Sequence, residues 1–364
     1  MRIIWFNHRD IRHPLAGGAE RTIHEIASRL VLSGHSVKWY SVSWKDAQAR
    51  DVVSGIEIFR MPSNAIAHLE IPAVLRRENY DLVVDDLAHA APWCSERFTK
   101  KPGTVCFRHL HRRSLPGQVR FPLRQALTFS EYLYPRIYRH WPFVTQSNSS
   151  IMDLTNLGID RSRIVQIGGG ITEEFFRQFV KSPVPAMVYF GGMRDYKRPW
   201  ECIYVFHEVL RSFPDAELTV VGTGPAINKV RRIALKLGIE NRIRFTGKVP
   251  DQELATIARK AWVNVHSSTV EGFGASIIEA SASGTPTVAY DVPGVSEVVE
   301  RGINGVLVSD GDTKSMTEAV LEIMSSNIEE WALRSRDAAR KYSWDETAGK
   351  WEDHLFRVLN RDFP

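Results

Sequence analysis

The chain has 364 residues, 43% apolar and 24% charged, with a formal net charge of +5. That length suits two domains better than one core, and the composition is that of a globular protein rather than a disordered or fibrous one. No run reaches the ~18 to 20 uninterrupted apolar residues of a membrane span, and the opening Met1 to Asn7 is too short for a secretory signal.

The three cysteines, Cys94, Cys106 and Cys202, are odd in number and lack metal-ligand spacing, so a reducing cytoplasm is expected and neither a disulfide framework nor a zinc site is. Charge is uneven along the chain. Residues 1–180 carry 24 Lys and Arg against 17 Asp and Glu, a net +7, whereas residues 181–364 carry 23 against 25, a net −2.

In chain order, Arg2 to Asn7 reads as a buried strand, Ala19 to Ser33 as an amphipathic helix and Ser36 to Ser43 as a second strand. Between the first two lies His13-Pro14-Leu15-Ala16-Gly17-Gly18-Ala19-Glu20-Arg21. Adjacent glycines ahead of a helix let backbone approach a ligand beyond the carboxyl end of a strand, although the pair alone also fits a plain turn. Asp81 to Asp85, Thr104 to Phe107 and Phe143 to Gln146 are further short apolar runs, and together these segments have the grammar of an open parallel sheet covered by helices.

Past Phe107 the chain reads Arg108-His109-Leu110-His111-Arg112-Arg113, so polar side chains emerge at a strand's end. From there to Trp141, Arg108, Arg112, Arg113, Arg120, Arg124, Arg136 and Arg139 are opposed only by Glu131 and alternate with Phe121, Phe129, Tyr132, Tyr134, Tyr138 and Trp141. Such a stretch suits an anionic membrane surface, a phosphorylated acceptor or nucleic acid, and equally the solvated face of a helical hairpin.

Gly168-Gly169-Gly170 marks an interdomain hinge, after which strand, loop and helix begin again at Ala186 to Phe190 and Gly191-Gly192-Met193-Arg194-Asp195-Tyr196-Lys197-Arg198. Gly222 and Gly224 lack the third glycine of a dinucleotide fingerprint. Ile243 to Val249 and Val263 to His266 lead into the richest stretch, Ser267 to Glu300. There Glu271 precedes Gly272-Phe273-Gly274 and an apolar helical run carrying Glu279. A helix N-terminus behind glycines offers unpaired N–H groups to a phosphate, and the flanking carboxylates suit hydroxyls, which together describe a nucleotide sugar. Asp310-Gly311-Asp312 has the form of a metal-binding pair and sits in a loop, so no metal is assigned to it. Three helical stretches, Lys314 to Ser325, Ile328 to Tyr342 and Asp345 to Leu359, close the chain, with Trp331, Trp344, Trp351 and Phe356 read as packing residues.

Glu271 and Glu279, separated by seven residues with Gly-Phe-Gly after the first and Gly284-Thr285-Pro286 after the second, resemble the E-x7-E signature of the retaining glycosyltransferases of family 4. The resemblance implies the GT-B fold, two Rossmann-like parallel-sheet domains with the active site in the cleft between them. Residues 1–168 would form the acceptor-side domain, completed by the helix at 345–364, and residues 169–344 the nucleotide-sugar domain. It further implies that Gly17 and Gly18 face the donor phosphates and the acceptor, that His109, or His111 one or two residues on in register, lies near the transferred sugar, and that Val249 lies near the nucleobase. Lys197 would hold the diphosphate together with Arg194, which stands near the family's usual arginine position, here Gly192. Glu271 would bind sugar hydroxyls, Glu279 the ribose, and Gly272, Phe273 and Gly274 would flank the phosphates.

The expected reaction is a front-face, retaining transfer from a UDP- or GDP-linked sugar to a glycan or lipid-linked hydroxyl, with no cofactor or metal and no nucleic acid partner. The expected location is cytoplasmic, docked on an anionic inner membrane face through the basic stretch. A non-catalytic nucleotide-sugar-binding module, favoured by Gly192, and a sugar-nucleotide epimerase are the alternatives.

Overall fold

The computed structural model describes residues 1–89, 91–113, 115 and 119–363; the Arg113 side chain lies outside the described ones. The chain divides into two compact units, Met1–Gly170 with Trp344–Pro364, and Ile171–Ser343. The divide therefore falls at the end of the glycine run, two residues beyond the expected 168/169.

The first unit contains strands β1 (Arg2–Phe6), β2 (Ser36–Val42), β3 (Arg50–Val53), β4 (Ile56–Met61), β5 (Leu82–Leu87), β6 (Gly103–Phe107), β7 (Phe143–Thr145) and β8 (Ile164–Gln166). Its helices are α1 (Gly18–Leu32), α2 (Asn64–Arg77), α3 (Leu123–Glu131), α4 (Tyr134–Ile137) and α5 (Asn148–Asn156). The sheet order is β3-β4-β2-β1-β5-β6-β7-β8, parallel except where β3 runs back along β4. The winding direction reverses between β1 and β5, and the crevice beyond the carboxyl ends of strands at such a switch point is where open α/β sheets bind ligands.

The second unit contains β9 (Ala186–Phe190), β10 (Glu217–Val221), β11 (Ile243–Gly247), β12 (Val263–His266), β13 (Thr287–Tyr290) and β14 (Gly305–Val308). Its helices are α6 (Pro199–Ser212), α7 (Ile227–Leu237), α8 (Asp251–Lys260), α9 (Ala275–Ala282), α10 (Thr313–Met324) and α11 (Ile328–Ala339). The sheet is wholly parallel in the order β11-β10-β9-β12-β13-β14, with its switch point between β9 and β12.

Local chemistry explains the helix starts. On α1 the apolar residues Ile23, Ile26, Ala27 and Leu30 recur at helical spacing and are buried, and Glu20 turns back so that Oε2 accepts from the Gly17 N–H at 2.7 Å, which is the glutamate half of a capping box. In the opposite sense, the N-cap hydroxyls of Ser63 on α2 and Ser147 on α5 accept from the Ile66 and Ser150 N–H groups. The last helix, α12 (Trp344–Leu359), returns to the first unit. Trp351 lies 5.2 Å from Trp5 between ring centroids, Asp345 pairs with Arg29 at 2.6 Å, and the His354 ring nitrogen is 2.9 Å from the Thr104 hydroxyl. Trp331, Trp344 and Trp351 are buried, whereas Phe356 is exposed and touches His35 only edge-on.

The basic and aromatic stretch is more divided than its composition suggests. Arg108 does not reach the surface: it is buried against Asp86 on the neighbouring strand, Nη2 to Oδ2 at 2.6 Å and Nε to Oδ1 at 3.3 Å. Tyr134, Tyr138 and Trp141 are core residues, because α4 and the segment after it pack onto β6 and β7. What remains outside are Phe121, Leu123, Phe129 and Tyr132, together with the exposed Arg120, Arg136 and Arg139 of the same stretch. Among the described residues no helix is long and apolar enough to cross a membrane.

Candidate active site

At the switch point of the second unit, the loop after β9 meets the loop after β12. The Ser267 hydroxyl lies 2.9 Å from the Lys197 carbonyl and 2.8 Å from that of Arg198, and the Thr269 N–H donates to Tyr196 O at 2.8 Å. Glycines allow this approach. A Cβ on Gly222 would collide with the Gly191 carbonyl and one on Gly224 with the Met193 carbonyl, so these two glycines pack loop on loop rather than cradle a dinucleotide.

The result is a charged centre. Glu271 Oε1 accepts from Lys197 Nζ at 2.7 Å and from the Ser268 hydroxyl at 2.7 Å, and His266 Nε2 stands 3.2 Å from the same oxygen without hydrogen-bond geometry, while Oε2 takes no hydrogen bond among the described residues. Burial by itself would raise the Glu271 carboxyl, but Lys197 and His266 outweigh it and hold the group well below the ordinary carboxylate range. Burial likewise disfavours the Lys197 charge, and Glu271 more than restores it.

Glu271 is held in place through its backbone. Its N–H donates to Pro293 O at 3.0 Å, and Gly294, with φ +80°, leaves no room for a Cβ against the Glu271 carbonyl. Gly274 adopts φ +74° as the N-cap of α9, where a Cβ would come within 2.9 Å of Val298. Glu279 sits in the second turn of α9 and is buried. Phe273 packs edge-on against Tyr342, with ring centroids 5.8 Å apart, and Gly272 is half-buried. Val249, in the loop between β11 and α8, is half-buried against the small cluster containing Val188 and Phe190.

Gly192 has no positive φ that would demand glycine, and a Cβ there would meet only Arg194, Nε at 3.9 Å and Cγ at 4.0 Å. The Arg194 side chain thus lies over the space that a residue at 192 would enter. Asp310 and Asp312 are engaged within the unit: Asp310 pairs with Arg198, and Asp312 caps α10 through the Ser315 N–H at 3.0 Å. Among the described residues no group of three or more His, Cys, Asp or Glu could hold a metal ion.

The switch point of the first unit is built differently. Gly17 and Gly18 lack positive φ; a Cβ on Gly18 would meet nothing within 4 Å, and one on Gly17 only Glu20 Oε2 at 3.8 Å. Neither backbone nor packing requires them. Beyond β1, His8 Nε2 lies 3.3 Å from His68 Nε2, and His8 packs with tilted rings against His89 at 4.8 Å and Trp93 at 4.3 Å between ring centroids. Burial, with His68, His111 and Arg9 nearby, pushes His8 down to about 3.

Two neutral imidazoles facing through Nε2 share one hydrogen. His8 Nδ1 is buried without a partner, and a bare acceptor is more easily left unpaired there than an N–H. His8 therefore donates through Nε2, and His68 carries its hydrogen on Nδ1. The two histidines after β6 also separate: His111 is buried with Nε2 3.0 Å from Leu87 O, so it donates to that carbonyl, whereas His109 is half-exposed, 4.8 Å from it between ring centroids.

Sequence reasoning missed His266, Ser268, His8, His68 and His89. A usable signal existed for three of them, since His8, His89 and His266 each lie at or within two residues of the end of a parallel strand.

Two family models match the chain in succession. "Glycosyltransferase Family 4" matches residues 16–175 and "Glycosyl transferases group 1" matches residues 171–342. An uncharacterized glycosyltransferase of Methanocaldococcus jannaschii is 23% identical over 92% of this chain and 93% of its own length. The D-inositol 3-phosphate glycosyltransferase of Corynebacterium efficiens is 32% identical over 50% of this chain and 45% of its own length, so the likeness spans less than half of that protein.

Among solved structures, sucrose-phosphate synthase from Thermosynechococcus elongatus superposes with a TM-score of 0.81 at 18% identity, covering 99% of each chain. Anabaena HepE in complex with UDP-glucose gives 0.76 at 18% identity over 98% of this chain and 99% of that one. These likenesses establish the GT-B fold, and the family matches favour a transferase over the epimerase or non-catalytic alternatives.

Proposed function

We infer that this chain, which belongs to the group 1 glycosyltransferases, moves a sugar from a UDP- or GDP-linked donor to a hydroxyl acceptor with retention of configuration. The observation that carries this reading is the Glu271 carboxylate, anchored through Oε1 by Lys197 and Ser268 with His266 close by, while Oε2 is left for a ligand hydroxyl. The acceptor hydroxyl oxygen bonds to the anomeric carbon, the bond from that carbon to the diphosphate oxygen breaks with its electron pair leaving on the phosphate, and the phosphate takes the hydroxyl proton. Lys197, Arg194 and the first amides of α9 supply positive charge where negative charge develops, so the reading assigns no metal. Glu279 binds the ribose, Val249 lies beside the nucleobase, and Gly17, Gly18 and His109 belong to the sugar and acceptor side.

Incubation with a panel of UDP- and GDP-sugars tests this. The matching donor should release nucleoside diphosphate, faster with acceptor, and at 100 times its Kd should stabilise the fold by ~2.7 kcal/mol. Absence of both release and stabilisation with every donor would sink it.

The same reading places the enzyme at the cytoplasmic face of an anionic membrane, with a glycan or lipid-linked acceptor. Phe121 and Phe129 are 76% and 62% exposed, Arg120, Arg136 and Arg139 of the same stretch are exposed as well, and each Arg near an anionic surface contributes ~1 kcal/mol. Changing Arg112, Arg113, Arg120 and Arg124 together to Gln should release the protein from anionic vesicles in flotation, and failure of the unmodified protein to float at low salt would remove the membrane from the reading.

A further inference from the structure

The outer face of α3 is exposed, but its last residue points inward. Glu131 is fully buried, and its Oε1 accepts two backbone hydrogen bonds, from the His111 N–H at 2.5 Å and the Arg112 N–H at 3.2 Å. No other side chain of α3 is buried. The loop that these bonds hold is the one that leaves β6 and carries His109 and His111, and its far side is fixed by His111 Nε2 on Leu87 O. Glu131 is thus the point at which α3 grips that loop.

We propose that Glu131 is a positioning residue: its buried carboxylate, reaching from α3 to the His111 and Arg112 amides, sets the loop that presents His109 to the acceptor. The role of His109 in this inference rests on the transferase reading above; the grip of Glu131 on the loop does not.

A cap of this kind is stronger when ionised, because a carboxylate accepts N–H bonds about twice as strongly as a neutral group does. The carboxyl is also placed to change state near neutrality. Burial pushes it up to about 7, against the His111 and Arg112 amides and the Arg112 charge, and Asp153 on α5 pushes the same way as burial. Tyr134 on α4 is a further titratable neighbour among the described residues, and it stays protonated because burial raises it. Protonation would place a hydrogen on Oε2, which is buried with no partner, or on Oε1 at the expense of the loop amides. Either way the loop is held less firmly below pH ~7 than above it.

The test uses the full chain as wild type, Glu131→Gln and Glu131→Ala, with two readouts. The first is deuterium exchange of the segment containing the His111 and Arg112 amides, corrected for intrinsic exchange, between pH 6 and 8. Wild type should gain protection on the order of tenfold as pH rises through the carboxyl's titration, Glu131→Gln should be flat across the same range, and Glu131→Ala should be unprotected throughout. The second is steady-state kinetics, where acceptor KM should follow the exchange step in wild type and lose it in Glu131→Gln, with donor KM unmoved.

A pH step that survives in Glu131→Gln, or protection in Glu131→Ala equal to wild type, would overturn the proposal. An altered donor KM with an unaltered acceptor KM would also overturn it. If wild type itself transfers no sugar, the transferase reading fails, and the exchange experiment still decides what Glu131 does.

Discussion

At the β9/β12 edge of the second unit the candidate site is built from charge: Lys197 and Glu271 meet at 2.7 Å, with His266 on the same carboxylate oxygen. At the β1/β5 edge of the first unit a ligand would meet half-exposed imidazoles, over a floor of His8 and Trp93, with the nearby ion pair of Arg108 and Asp86 sunk below the surface. Both edges are switch points of parallel sheets, so topology makes them crevices without deciding what they bind. The chemistry differs as the two halves of a glycosyl donor and acceptor would require. A diphosphate needs fixed positive charge that strengthens its hold as the leaving group forms, whereas a hydroxyl needs neutral donors and acceptors that do not cost desolvation of an ion.

Removing charge from the second unit should have the largest effect. Lys197→Ala deletes the cation proposed to meet developing charge, a loss that typically costs ~3 kcal/mol, on the order of a hundredfold or more in kcat. It also leaves the Glu271 carboxylate mostly buried without its main partner, so the fold should lose stability as well. The pair's pH dependence has a definite sign. Because the folded Glu271 carboxyl lies below its ordinary value of 4.5, its stabilisation is complete above that value and is lost as pH falls below it. Acid unfolding of Glu271→Gln should be less steep below pH ~4.5 than that of wild type. Near-normal kcat in Lys197→Ala would show that Arg194 and the α9 terminus carry the diphosphate alone.

Glu279→Ala should act on binding rather than on the chemical step. The proposed bonds go to a ribose held equally in ground and transition states, so donor KM should rise on the order of tenfold while kcat changes little. Unchanged donor affinity would take Glu279 out of the ribose site and weaken the contrast between the two edges.

How much of this is legible in the sequence follows the distance over which each feature is encoded. Glu271, Gly274 and Glu279 lie within one loop and one helix, so their spacing announces a helix start with carboxylates on either side. The parallel sheets are legible from buried runs alternating with amphipathic helices, as in β5 and α1. The Lys197–Glu271 pair joins residues 74 apart in sequence and His8–His68 joins residues 60 apart; the first depends on which strands are neighbours and the second on where α2 packs, and local patterns state neither. Counting charges misleads for Arg108, because its partner Asp86 lies on β5, the strand next to β6, and a count has no neighbours. Tyr134 and Tyr138 look like surface aromatics in the sequence for the same reason.

On the first unit the group to perturb is one that stays neutral rather than charged. A buried His8 that stays neutral to about 3 binds no proton in the fold while the unfolded chain's imidazole takes one below ~6.5. Stability is therefore lost as pH falls through that window, by up to about 1.4 kcal/mol per pH unit. His8→Phe keeps a ring against Trp93 and removes the titration, so its stability should be less sensitive to pH between 6.5 and 5. An unchanged slope would mean that His8 protonates in the fold and that the edge is not kept neutral.

The smallest expected effect comes from adding one methyl group at Gly18. With no positive φ and no atom within 4 Å of a Cβ there, alanine is accommodated by the chain itself, and at the first position of α1 it relieves the entropic cost of glycine, worth up to ~1 kcal/mol. Gly18→Ala should thus melt at the same temperature as wild type or slightly higher. If the space above Gly18 belongs to a ligand, the methyl group intrudes on it, and a loss of ~1 kcal/mol in binding would appear as a roughly fivefold rise in a substrate KM. Whichever substrate's KM moves identifies the ligand that the first unit brings closest to its backbone. A variant indistinguishable from wild type in both melting and kinetics would return Gly17-Gly18 to the status of a simple turn and leave the histidines as the first unit's only candidate contacts among the described residues.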